Sequence, residues 1–267
     1  VGPLAPAGGA GRGKRPEPMI MWMPRQVASK SGSFPRCGCG SRLLVVMAGS
    51  RYQNQAGLLS FRHGRPGTDD PVDDATSYEA LRRAVDCGVN FFDTADVYGD
   101  GRSERLVGRL RKECGEKIIV ATKAGRRLER QTPEGYSREN IVKWVERSLV
   151  NLGVGCIDLL QLHCPPTQVY YMPEVFGYLD DLVAAGKLRF YGVSVERVEE
   201  GMKALDYTGV QSVQIVYNIL RQRPRDRFLA EARRGTVGEV VGLPLLSGKA
   251  AGHSTERSQY GAHVHTR

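Results

Sequence analysis

From about residue 74 the chain alternates without a break between stretches of helical apolar period and short runs of consecutive apolar residues. No other feature constrains the fold as much. A strand that is apolar at successive positions needs cover on both faces, and the helices between such strands supply it. Repeated βα units give a parallel sheet, either doubly wound or closed on itself. The unbroken series favours a (β/α)8 TIM barrel of α/β class. A barrel takes roughly 250 residues, nearly all of the 267 present.

The units can be placed from local signals. Ala75–Cys87 reads as a helix with Leu81 and Val85 on one face, ended by Gly88. Residues 88–94 read as a buried strand, Ser103–Leu110 as a helix and Ile118–Lys123 as a strand. Ser137 is suited to cap a helix whose Ile141, Val145, Leu149 and Leu152 share a face, with Gly153 at its end. Ile157–His163 is the next strand. Pro173 suits the first turn of a helix that stops before Gly186. Phe190–Val195, Val213–Tyr217 and Val237–Leu243 read as strands, separated by helices at Val198–Leu205 and Arg225–Arg234.

The ends differ from this core. Residues 1–42 are rich in Gly, Pro, Arg and Ser without period, and read as a disordered basic tail. They hold seven basic residues against one acidic, so most of the net charge of +9 sits there. That distribution argues against a folded nucleic-acid-binding face. The expected folded unit is 43–252, followed by an irregular tail at 253–267. Six cysteines show no metal-ligand spacing, so no metal is expected, and reduced thiols in a cytoplasmic protein fit them best. No apolar run is long enough for a membrane span.

In a barrel the chemistry gathers at the C-terminal ends of the strands. Asp93, Lys123 and His163 close three successive strands, and Tyr98 lies five residues past Asp93 in the following loop. Any one of them alone would read as a cap or a solvated polar residue. Together they place a carboxylate, an ammonium, an imidazole and a phenol at one end of one sheet. A growing alkoxide needs a proton donor, and a lysine beside a phenol favours the phenolate, which lowers the energy of proton release.

These residues sit in segments that resemble the aldo-keto reductases. Residues 88–108, with Asn90-Phe-Phe-Asp-Thr-Ala-Asp-Val-Tyr-Gly99 at their centre, are similar to that family's first signature. Asp158–His163 is similar to the middle signature, and residues 186–194 to the segment entering the fifth strand. The likeness runs from about 71 to 252. It implies a (β/α)8 barrel holding NADPH without a Rossmann fold and reducing a small-molecule aldehyde or ketone. It assigns catalysis to Asp93, Tyr98, Lys123 and His163, with Tyr98 as proton donor. It assigns cofactor contacts to Ser194 and Gln214 on the nicotinamide carboxamide, and to Leu245 and Ser247 beside the pyrophosphate. No nucleic acid or membrane partner is implied, and the oligomeric state is left open.

The chain departs from the family pattern in places. Val195 stands where Asn is common, and Gly242 offers no side chain to flank the nicotinamide. Leu43–Met47 and Ala56–Phe61 both qualify as the first strand. After Gly252 too few apolar residues follow for another helix and strand, so about seven strands are expected, with the eighth βα unit missing. Two further readings are a weak or inactive remnant and a cofactor-sensing module like the channel-associated β subunits.

Overall fold

The computed structural model describes residues 73–242 and the backbone of two short strands, β1 (Ile20–Met21) and β2 (Leu43–Met47). The other strands are β3 (Phe91–Asp93), β4 (Ile119–Ala124), β5 (Ile157–His163), β6 (Leu188–Val195), β7 (Val210–Val216) and β8 (Gly238–Gly242). The helices are α1 (Asp74–Asp86), α2 (Arg102–Cys114), α3 (Arg138–Leu152), α4 (Pro173–Ala184), α5 (Val198–Ala204) and α6 (Phe228–Arg234). They form one eight-stranded sheet in chain order. β1 is antiparallel to β2, and β2 to β8 are all parallel. Among the described residues these seven parallel strands, each joined to the next through helical segments, form the barrel-type α/β sheet that the βα series predicts.

Local chemistry sets the element ends. Asp73 caps α1, its carboxylate accepting from Thr76 N at 2.8 Å and Thr76 Oγ1 at 2.7 Å. Ser137 caps α3 through Asn140 N, and Gly153 ends that helix at φ 64°. Pro173 opens α4. α6 begins later than its apolar pattern suggests, because Pro224 occupies a 3-10 turn at Arg223–Arg225 just before it. Leu43–Met47 is the strand that pairs with β3, and Ala56–Phe61 lies outside the described residues. Ile20–Met21 falls inside the stretch 1–42 that composition reads as a tail, yet pairs with Leu43 and Leu44. Its apolar pair is the kind of segment a sheet edge accepts.

Strand alternation divides the interior in two. Phe92, Leu160, Leu162, Val193, Val213 and Ile215 point outward into one large core with the helices. Each such fully buried side chain contributes about 1.5–3 kcal/mol. The inward set begins with Phe91, Ala121, Leu159 and Val240, backed by Ile119 and Phe190, as a separate apolar floor. One pleat further along the strands the inward positions turn polar: Asp93, Lys123, Gln161, His163, Ser194, Ser212 and Gln214. The polar crown therefore sits at the C-terminal ends of the strands, above an apolar layer.

Candidate active site

Register explains how these side chains meet. Asp93 lies opposite Ala121, and Lys123 is two residues further along β4 on the same face. The lysine stem therefore spans the pleat and brings Nζ over the carboxylate. Nζ donates to Asp93 Oδ2 at 2.6 Å and to Thr94 O at 2.8 Å. Gln214 Nε2 donates to the same Oδ2 at 3.1 Å from across the barrel. His163, Ser194 and Gln214 stand in direct register on β5, β6 and β7. β4 runs one residue past Lys123, so the lysine is next to last rather than last in its strand.

Tyr98 reaches this group from the loop between β3 and α2. Its ring meets that of His163 edge-on, with centroids 5.9 Å apart and planes at 84°. Lys123 Nζ lies 5.5 Å from the Tyr98 ring centroid. The loop is pinned on both sides: Asp96 N donates to Lys123 O, Ser103 N donates to Tyr98 O, and Thr94 Oγ1 and Ser103 Oγ are 2.7 Å apart. The structure thus brings Asp93, Tyr98, Lys123 and His163 together, with Ser194 and Gln214 alongside. Leu245 and Ser247 lie outside the described residues.

The electrostatics follow from burial. The Lys123 ammonium loses hydration, but the charge of Asp93, Tyr98 and the hydrogen bond to Asp93 outweigh that loss and raise its pKa. Burial pushes the Tyr98 phenol up; Lys123 pulls it back and Asp93 pushes it up again, leaving it above its usual value. This differs from the expectation of a lowered phenol, because burial outweighs the pull of Lys123, which Asp93 partly offsets. Burial, then Lys123, then Arg126 hold the His163 imidazolium well below its ordinary range, so the ring is neutral at physiological pH. Its Nδ1 is buried with no hydrogen-bond partner, and so is Gln214 Oε1.

Three neighbours were not legible as site residues in the sequence. Arg126 lies three residues past Lys123, and its Nε donates to His163 O at 3.1 Å while Nη2 reaches Glu196 Oε1 at 2.9 Å. Cys164 turns the chain after β5 at φ 49°, with Sγ 3.6 Å from Ser194 Oγ. Asp96 is wholly buried, with neither carboxylate oxygen hydrogen-bonded. Burial and the nearby Glu104 raise its pKa to about 7. For Asp96 and Cys164 the available signal was a polar residue in a βα loop at the C-terminal face.

A parallel βα sheet with a buried ion pair, a phenol and an imidazole at its strand ends is the arrangement that the resemblance to the aldo-keto reductases implies. The profile of the Aldo/keto reductase family matches residues 57–267, and the chain belongs to that family. The match extends past the stretch 71–252 at both ends. The aldo-keto reductase YhdN of Bacillus subtilis is 33% identical over 188 residues, covering 69% of this chain and 56% of the relative. The aldo-keto reductase yakc [NADP(+)] of Schizosaccharomyces pombe is 30% identical over 190 residues, covering 68% and 56%. The holo form of aldo-keto reductase AKR11C1 from Bacillus halodurans superposes with a TM-score of 0.60 at 29% identity, covering 72% of this chain and 63% of that one. Two further relatives, each 29% identical, are an NADH-specific methylglyoxal reductase of Escherichia coli and a putative voltage-gated potassium channel subunit beta of S. pombe. They match over 206 and 200 residues, covering 72% and 70% of this chain and 63% and 57% of the relatives. The chain spans a little over half the length of the curated relatives it matches first.

Proposed function

We propose that this chain reduces an aldehyde or ketone to an alcohol with NADPH, with Tyr98 as the proton donor. The observation that carries the reading is the buried Lys123–Asp93 ion pair lying beside both Tyr98 and His163. A nicotinamide nucleotide fits the residues present. Gln214 Oε1 is a buried acceptor with no partner, and Ser194 Oγ lies one strand away in register. An acceptor and a hydroxyl donor on adjacent strands suit the NH2 and C=O of a carboxamide. When bound, that group supplies the hydride.

The chain's own residues then handle the proton. Burial keeps the Tyr98 hydroxyl protonated at neutral pH, ready to donate. As charge grows on the carbonyl oxygen, the phenol gives up its proton, and the nearby Lys123 ammonium stabilises the phenolate that remains. Asp93 holds that ammonium in place. Neutral His163 orients the carbonyl by hydrogen bonding without adding a competing charge. The phosphate end of the cofactor is assigned to Leu245 and Ser247. NADPH is named as the cofactor on the family resemblance and on the NADP(+) named for the S. pombe relative, and the E. coli relative named as NADH-specific makes NADH the alternative to test. A cytoplasmic setting accords with the free thiols of Cys87, Cys114, Cys156 and Cys164, the cysteines among the described residues.

The test is paired. Fluorescence titration of the chain with NADPH and with NADH measures cofactor binding and preference. Loss of NADPH absorbance in the presence of a simple aromatic aldehyde measures reduction, in the native chain and in Tyr98→Phe. Tight NADPH binding with turnover that vanishes in the variant supports the proposal; native turnover in Tyr98→Phe removes Tyr98 from the role.

A further inference from the structure

We propose that Arg126 is a positioning residue for His163: its guanidinium ties together the ends of β4, β5 and β6 and so fixes the imidazole against Tyr98. The proposal concerns the site described above, and only its kinetic arm rests on the proposed function.

The geometry is a three-strand clamp. Arg126 leaves the chain two residues after β4 ends at Ala124. Its Nε donates to the carbonyl of His163, the last residue of β5. Its Nη2 pairs with Glu196, the first residue after β6. A guanidinium is rigid and planar, so the two bonds fix each other's direction, which the single-point charge of a lysine does not. The carbonyl it holds belongs to the His163–Cys164 peptide. There the chain turns sharply, with Cys164 at φ 49° and Cys164 N donating to Ser194 O at 2.9 Å. A residue in that conformation persists when its surroundings over-determine it, and Arg126 is one of the constraints. The ring of His163 has no side-chain partner to hold it from Nδ1, which is buried and unbonded. Its direction therefore depends on the backbone beneath it and on the edge-on contact with Tyr98.

The clamp also places a fixed positive charge next to the imidazole. The charged and titratable groups around His163 are Tyr98 from the β3–α2 loop, Lys123 from β4, Arg126 from the loop after β4, and Cys164 beside it, with Glu196 beyond the guanidinium. Lys123 and Arg126 both act against protonation of the ring. Removing the Arg126 charge moves the imidazole titration upward, whereas a mere brace for the loop would leave it in place.

The experiment is NMR titration of the His163 imidazole in the full chain, joined to steady-state kinetics with NADPH and an aromatic aldehyde. Arg126→Gln is expected to raise the His163 titration midpoint and to lower kcat by about 10- to 100-fold, the scale of a small misplacement at a reacting centre, with little change in cofactor KM. Arg126→Lys keeps the charge and so keeps the midpoint near its native position, while losing the fork and much of kcat. An Arg126→Gln chain whose His163 titrates at the native midpoint overturns the proposal, as does one with native kcat. Should that variant fail to fold, Glu196→Gln reads the clamp from its far end. Loss of the carboxylate leaves the guanidinium charge less compensated, so the midpoint moves further down, and an unmoved midpoint overturns the proposal. A native chain without any reductase activity would defeat the proposed function but leave the titration to decide this one.

Discussion

Lys123 Nζ donates to Asp93 Oδ2 at 2.6 Å, and both side chains are almost completely withdrawn from solvent. Removing one partner from such a pair strands the other. Lys123→Met is therefore expected to cost about 3–5 kcal/mol of stability, read as a shift in the urea midpoint. Adding Asp93→Asn to that variant restores part of the loss. A Lys123→Met chain as stable as the native one would show that the Asp93 charge is met by other groups.

Tyr98→Phe removes one oxygen and keeps the ring that packs on His163. Folding and NADPH affinity should stay close to native, while kcat for aldehyde reduction falls by several orders of magnitude. The interaction lost is one made chiefly in the transition state. Comparison of kcat with cofactor affinity checks this.

Asp96 supplies a pH test with a definite sign. Its folded pKa is about 7 against 3.8 for the free side chain, so the folded form holds a proton that the unfolded chain has already lost between these values. Stability therefore falls as pH rises through that window, and the penalty is complete above about 7. The shift corresponds to roughly 4 kcal/mol as an upper limit. Asp96→Asn should raise the thermal midpoint at about pH 8 and give a much smaller gain at about pH 4. Equal gains at both would mean that charge is not the cause.

Gly108 lies on α2 where that helix crosses α3. A Cβ there would sit 2.3 Å from Leu152 O and 2.7 Å from its carbonyl carbon, both backbone atoms with little freedom to move. Gly108→Ala should destabilise the chain by about 1–3 kcal/mol, although alanine is the better helix former. Calorimetry of the variant measures it, and a stabilised variant would mean that the two helices separate at little cost.

The strand Ile157–His163 is readable from sequence to the residue, because Ile157, Leu159, Leu160 and Leu162 stand between Gly155 and the Pro165-Pro166 break. Phe91–Asp93 is shorter than its apolar run, since Val89 is buried in the loop before the strand begins. Sequence places Asp93, Lys123 and His163 near strand ends, but not on one face. That depends on pairing register, which joins residues tens of positions apart. The upward shift of the Tyr98 phenol is hidden for a similar reason, because it depends on burial and on how the charges of Lys123 and Asp93 balance at the ring. Arg126 has no local pattern at all: its partners lie 37 and 70 residues further along the chain.

The close crossing of α2 and α3 at Gly108 reaches further than stability. α2 starts four residues after Tyr98, and Ser103 in its first turn is bonded to the loop at both Thr94 and Tyr98. The address of the phenol is thus written on the outside of the barrel, by how tightly one helix is seated on the next. A substitution buried between those helices, touching neither carbonyl nor cofactor, would reach the chemist as a change in turnover and be mistaken for a lesion in the site.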